Sequence, residues 1–147
     1  MTNSEIAGLY ERDLRKLIEE INSFEREENL WKTLGSIKNS AGNLALHIIG
    51  GLNFLIGTTL AHTEYVRNRE QEFINKNVEK NLIVEQLQDL IPMICKILVA
   101  LTPNQMESPY PGFFDKENAT ISYVLSQLLL HLNYHLGQVN YLRRALE

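Results

Sequence analysis

Residues 120–146 read TISYVLSQLLLHLNYHLGQVNYLRRAL, a stretch with no proline and one glycine. At 100° per residue, Val124, Leu128 and Leu142 lie within about 60° of His131, and His135 lies about 40° from it. A single helical stripe therefore carries apolar residues above and below two histidines, so that stripe is expected to face inward. This is the last helix of an all-α protein.

Working back from it, the same period recurs three times. Ile6, Leu9, Tyr10, Leu14, Leu17, Ile18, Ile21 and Phe24 return at helical steps between charged residues, predicting a helix over residues 4–28 with Ser4 as its cap. A second helix is expected from Asn39 or Ser40 to about Thr59. Its apolar residues cover nearly every side, and Gly42, Gly50, Gly51 and Gly57 point to close approach of a neighbouring helix. The third runs from about Glu79 to Leu101, with a bend expected at Pro92. Residues 29–38, 61–77 and 106–118 read as connections, the middle one with room for short helical turns. The alternating pattern of strands is absent, so the prediction is a four-helix bundle formed by residues 1–147 as a single domain.

With 147 residues, such a chain buries a real core without disulfides. Its single cysteine, Cys95, forms no internal bridge and suits a reducing, cytoplasmic setting. The net charge of −4 argues against broad nucleic-acid binding, for which Arg143 and Arg144 are too few. Met1 to Gly8 is polar and acidic, so no signal peptide is expected. Ala45 to Ala61 is apolar but carries His47, Asn53, three glycines and two threonines, which favours a buried helix over a membrane span.

His131 and His135, four apart, present two imidazoles on one face at chelating distance. His47 lies in line with Asn43, Leu44, Gly51 and Phe54 on the second helix, again within an apolar stripe. Three neutral imidazoles from two helices suit zinc, nickel or another borderline divalent ion, with positions left open for a reactant. Buried ring nitrogens need partners, and a metal satisfies one on each ring.

The segments Asn39-Ser40-Ala41-Gly42-Asn43-Leu44-Ala45-Leu46-His47 and His131-Leu132-Asn133-Tyr134-His135-Leu136-Gly137-Gln138-Val139-Asn140-Tyr141-Leu142-Arg143-Arg144 resemble the DinB-like family, named for damage-inducible bacterial proteins. The resemblance spans nearly the whole chain. It implies a bundle with a long crossover connection, Asn77 to Lys80 leading into the third helix. It also implies one metal-binding histidine on the second helix and a pair on the fourth, which are His47, His131 and His135 here. Related branches include metal-dependent transferases that use small thiol cofactors, and related bundles often form homodimers.

Around these ligands, Asn43 and Gln138 are candidates to orient an imidazole or touch substrate, with Gln127 a weaker one. Arg67 and Arg69 could cover the mouth of the bundle and bind an anion, although a charged loop surface is the simpler reading. Glu64 and Asp115 are conceivable further ligands without supporting spacing, whereas His62 stands too far along the chain. A carboxylate base, Glu70 or Glu72, would require the connection to close over the site. Tyr134 and Tyr141 are expected at the stripe's border or an interface, and Arg143 and Arg144 at a solvated helix end. Cys95 reads as an inert thiol, and neither Ser40 nor Ser126 has a base beside it. The function expected is thiol transfer to a small electrophile. Metal-assisted hydrolysis and a non-enzymatic, metal-stabilised stress or binding protein are the alternatives.

Overall fold

Thr2, not Ser4, begins the first helix of the computed structural model, which describes residues 1–147. Its hydroxyl accepts from the Glu5 amide at 3.1 Å, while the Glu5 carboxylate accepts from the Thr2 amide at 2.7 Å. This reciprocal pair satisfies two amides that a helix start would otherwise leave open. Helix α1 (Asn3–Ser23) stops five residues earlier than its periodicity suggests. Phe24 turns inward to near-complete burial, and a 3-10 turn, Glu27–Trp31, follows. The Glu147 carboxylate fixes that corner by accepting from the amides of Glu25 and Arg26.

The second rod is α2 (Ala41–Leu52), a π-helical segment (Asn53–Thr58) and α3 (Thr59–Ala61), capped at its start by the buried Ser40. After it come α4 (Arg69–Ile74), α5 (Lys80–Ala100), α6 (Pro103–Met106) and α7 (Ile121–Leu146). Helix α5 runs through Pro92, whose ring lies on the solvent side. There is no β-sheet, only one isolated bridge between Pro109 and Thr120.

Cross-helix hydrogen bonds give the directions. Tyr10 donates to the Leu125 carbonyl at 2.6 Å, Asn133 to Asp13 at 3.0 Å, and Arg143 to Glu20 at 2.8 Å, so α1 and α7 run parallel. Asn3 reaches the Leu101 carbonyl and the Lys80 amide reaches Glu27, so α1 and α5 run antiparallel. Helices α1 and α2 each pack against both α5 and α7. Helix α2 runs antiparallel to α7 and therefore parallel to α5, Gly57 meeting Met93 while Ile49 and Asn53 neighbour Gln86 and Asp89. The links 24–40 and 101–120 thus turn at the ends of the bundle, and the long 62–79 connection returns along it as the crossover. Asn77, at φ 58°, turns that connection toward α5.

The core runs the length of the bundle. Tyr10, Leu14, Leu17 and Ile21 from α1 meet Leu87, Leu90 and Ile94 from α5, and Val124, Leu128 and Leu132 complete it from α7. Ala41–Ala61 is one helical run long and apolar enough to cross a membrane, but Leu44, Ile48, Leu52 and Ile56 face into this core. Arg143 is not a free helix end, because its guanidinium pairs with Glu20 across the α1–α7 seam.

The glycines of the second rod make room mostly for side chains rather than for a neighbouring helix backbone. A β-carbon at Gly42 would meet the Trp31 ring at 2.8 Å, and one at Gly50 would overlap the Glu72 carboxylate. Only Gly57 faces another long helix, at Met93 of α5.

Candidate metal centre

Helices α2 and α7 pass antiparallel where their histidines meet. His47 Nε2 lies 3.3 Å from His131 Nε2, which lies 2.9 Å from His135 Nε2. The four-residue spacing on α7 places two rings edge to face, with centroids 4.3 Å apart, and α2 inserts the third. The ligand atoms of the three all fall within 4.8 Å of one another.

Only His47 is buried, as expected; His135 is half-buried and His131 exposed, so the pair on α7 lies at the rim of the apolar stripe and not inside the core. The outer nitrogens explain why the rings turn toward one another. His47 Nδ1 lies 3.0 Å from Glu72 Oε1, and His135 Nδ1 lies 2.7 Å from Gln138 Oε1. A carboxylate and an amide oxygen only accept, so both rings carry their proton on Nδ1 and turn the Nε2 lone pair to the centre. Without a metal, His131 can carry its proton on Nε2 and donate it to His135 Nε2 at 2.9 Å; with that proton on Nδ1 instead, three lone pairs face one point, as a cation requires. An ion bonded to nitrogen at about 2.0–2.1 Å holds its donors about 2.9–3.4 Å apart, which matches the distances from His131 Nε2 to the other two rings. The residues present therefore fit a divalent metal, and three donors leave part of its coordination sphere for a reactant.

Glu72 is the member that sequence reasoning left out of place. It comes from α4, inside the long connection, and is buried against α2. Arg67 grips its carboxylate in a fork, Nε at 2.8 Å and Nη2 at 3.0 Å, and the Phe73 ring covers His47 at 4.9 Å. The connection is thus closed over the centre, but Glu72 is committed to His47 and Arg67 rather than free as a base. A signal existed: Gly50, one turn past His47, leaves the gap that the carboxylate fills, and Asn68 caps α4 by accepting from the Gln71 amide.

Asn43 does not touch the imidazole. Its amide donates to the carbonyls of Glu72 and Asn75 at 3.0 and 2.8 Å, and its oxygen accepts from Ser40 and Lys76. It positions α4, and through it Glu72. Gln138 orients His135 instead of lining the substrate side. Gln127 lines a cavity of about 370 Å³ beside the centre, together with His47, His131, Arg69, Leu55 and Phe114. Asp115 also borders it, but its Oδ2 accepts from the Tyr123 hydroxyl at 2.7 Å. Glu64, Glu70 and His62 are exposed and outside the cluster. Ser40 and Ser126 are bonded to their own helices, and burial raises the pKa of the Cys95 thiol. Tyr134 and Tyr141 lie on the outside of α7.

The electrostatics favour neutral ligands. Burial lowers the pKa of His47 and outweighs the opposing pull of Glu72. Burial also lowers that of His131, to about 4, with further pushes from His135, His47, Arg67 and Arg69. An unfolded histidine titrates near 6.5, so between about pH 4 and 6.5 the unfolded chain binds more protons than the folded one. Metal-free stability contributed by these rings therefore rises with pH across that window and falls on acidification. Proton competition for the ring nitrogens of His47 and His131 is correspondingly weak. Zinc bound at pH 7 is expected to persist at pH 6 and to be released as pH approaches 4, a dependence measurable by competition with a chromophoric chelator across that range.

No curated protein matches the sequence. The family described as "Protein of unknown function (DUF1572)" matches residues 5–147, covering every helix of the bundle and all three histidines. The chain belongs to that family.

Proposed function

We propose that the protein is a DinB-like, metal-dependent enzyme that transfers a small thiol to an electrophilic carbon, with zinc or nickel held by His47, His131 and His135. The observation that carries this reading is the convergence of three Nε2 atoms beside a cavity, two of the rings being aimed by Glu72 and Gln138. A divalent ion, when bound, supplies Lewis acidity that makes a water or thiol nucleophilic at neutral pH. The chain's own contribution is to keep the imidazoles neutral, fix their orientation and offer a half-apolar cavity to the reactants.

The absence of a free base beside the centre favours a thiol over water as the nucleophile. Glu72 is committed to His47 and Arg67, and Asp115 to Tyr123. A thiol, with an ordinary pKa near 8.5, needs far less help to ionise than water does. In the reaction proposed, a carbon–sulfur bond forms, the bond to the leaving group breaks, and the thiol proton leaves with that group.

Metal analysis after mild purification, followed by assay of the zinc- and nickel-loaded protein against a panel of thiols and alkyl or epoxide electrophiles, tests this. Turnover that depends on metal and disappears in folded His131→Ala supports transfer. Release of hydrolysis product without thiol favours a hydrolase, and a well-loaded protein with no turnover favours a binding role. We also propose a cytoplasmic homodimer. Leu130, Tyr134 and Tyr141 stand exposed along the outer face of α7, with Gly137 open between them. Hydrodynamic mass of the wild type against Tyr134→Glu reads that out.

A further inference from the structure

The two arginines of the 62–79 connection are not equivalent. Arg67 spends its Nε and one Nη on Glu72 and is largely buried. Arg69, two residues on, makes no protein hydrogen bond or ion pair. Its guanidinium stacks over Phe73 at 5.4 Å, and Phe73 in turn covers His47. Both arginines border the cavity that reaches His131. Of the two, Arg69 has a planar donor fork to offer an incoming molecule. The opposite chemistry lines the rest of the space: Leu52, Leu55, Phe114 and Leu128 are apolar, and Gln127 presents an unengaged carboxamide. Asp115 is the one acidic residue there, which disfavours a second negative charge on the same ligand.

We propose that this cavity is a carboxylate-recognising site, in which Arg69 clamps the anionic end of a small amphiphilic monoanion while its apolar body lies against Leu52, Leu55 and Leu128. Arg69 is then a specificity-determining residue. Bidentate pairing of a guanidinium with a carboxylate supplies orientation as well as affinity, and the stack on Phe73 preorganises the fork. The inference deepens the proposed transfer by naming the class to which the thiol or the electrophile belongs, and it rests on that reading for the meaning of the cavity.

The test is run on the full-length protein first stripped of metal, then loaded with zinc, with hexanoate, hexan-1-ol and hexylamine as probes and amide chemical-shift titration as the readout. In the metal-free protein, hexanoate is expected to shift resonances of Arg69, Gln127 and Leu128. It should bind about tenfold more tightly than hexan-1-ol, the difference a charge-assisted contact brings. Arg69→Gln should remove that advantage and leave hexan-1-ol unaffected, while Arg69→Lys, which keeps charge without the fork, should retain part of it. Equal binding of hexanoate and hexan-1-ol, undiminished hexanoate binding in Arg69→Gln, or shifts confined to other parts of the bundle would each overturn the proposal. Because the decisive arm contains no metal, failure here is distinct from failure of the metal reading, which metal analysis reports separately.

Discussion

His131→Ala is expected to lower zinc affinity by more than about a hundredfold and leave the helical fold intact. Partners that merely orient a ligand are worth about 10–100-fold, so a ring that donates directly must be worth more. His131 is the shared member of the cluster, its Nε2 lying 3.3 Å from that of His47 and 2.9 Å from that of His135. The residue is exposed, so truncation removes little packing. The metal-free variant should stay within about 1 kcal/mol of the wild type, since an exposed residue loses at most one imidazole–imidazole hydrogen bond. With zinc present, the wild type should melt higher than without it by mass action, and the variant should gain much less. Chelator competition and thermal melts with and without zinc read both effects. Unchanged affinity in the variant would mean that any bound ion lies elsewhere.

Gly50→Ala is expected to cost about 10–100-fold in zinc affinity although it touches no ligand. In an ordinary helix interior, alanine is about 1 kcal/mol better than glycine. At Gly50 the new β-carbon would meet the Glu72 carboxyl carbon at 2.6 Å, closer than real β-carbons come. The carboxylate must leave, losing His47 Nδ1 and Arg67 together, and the variant should be destabilised by about 1–3 kcal/mol despite its better helix propensity. Gly8→Ala on α1 is the control. Nothing lies within 4 Å of its β-carbon, so it should stabilise by about 0.5–1 kcal/mol and leave metal binding untouched. Glu72→Ala should reproduce the affinity loss of Gly50→Ala, and combining the two should add little, as expected of residues acting through one interaction. Wild-type affinity in Gly50→Ala would show that Glu72 does not tune the centre.

Both predictions concern residues whose visibility in the sequence differs. His131 and His135 were legible because a helix converts a spacing of four into adjacency, and His47 because its neighbours on the wheel are apolar. The long helices were legible for the same reason: three repeat an apolar stripe over many turns, and the second is apolar on nearly every side. Their ends were less so. Thr2 replaced Ser4 because the cap depends on which hydroxyl reaches the Glu5 amide, and α1 ended early because Phe24 found a place in the core. The glycines of α2 were seen as gaps, but what fills a gap belongs to another part of the chain. Trp31 and Glu72 do so, and neither is near in sequence to the glycine it meets. Asn43 and Gln138 were placed near the centre, yet the partners of each amide depend on the carbonyls and rings that packing brings within reach.

Periodicity alone therefore established the long helices and a pair of chelating imidazoles, because both are properties of a single helix and its 100° step. Packing α2 against α7 brought the third ring to the other two, and folding residues 62–79 back over α2 delivered Glu72, Arg67 and the free Arg69. No local period encodes those meetings. They depend on contacts spanning 25 residues between His47 and Glu72 and 84 between His47 and His131, distances over which only the assembled core sets the geometry.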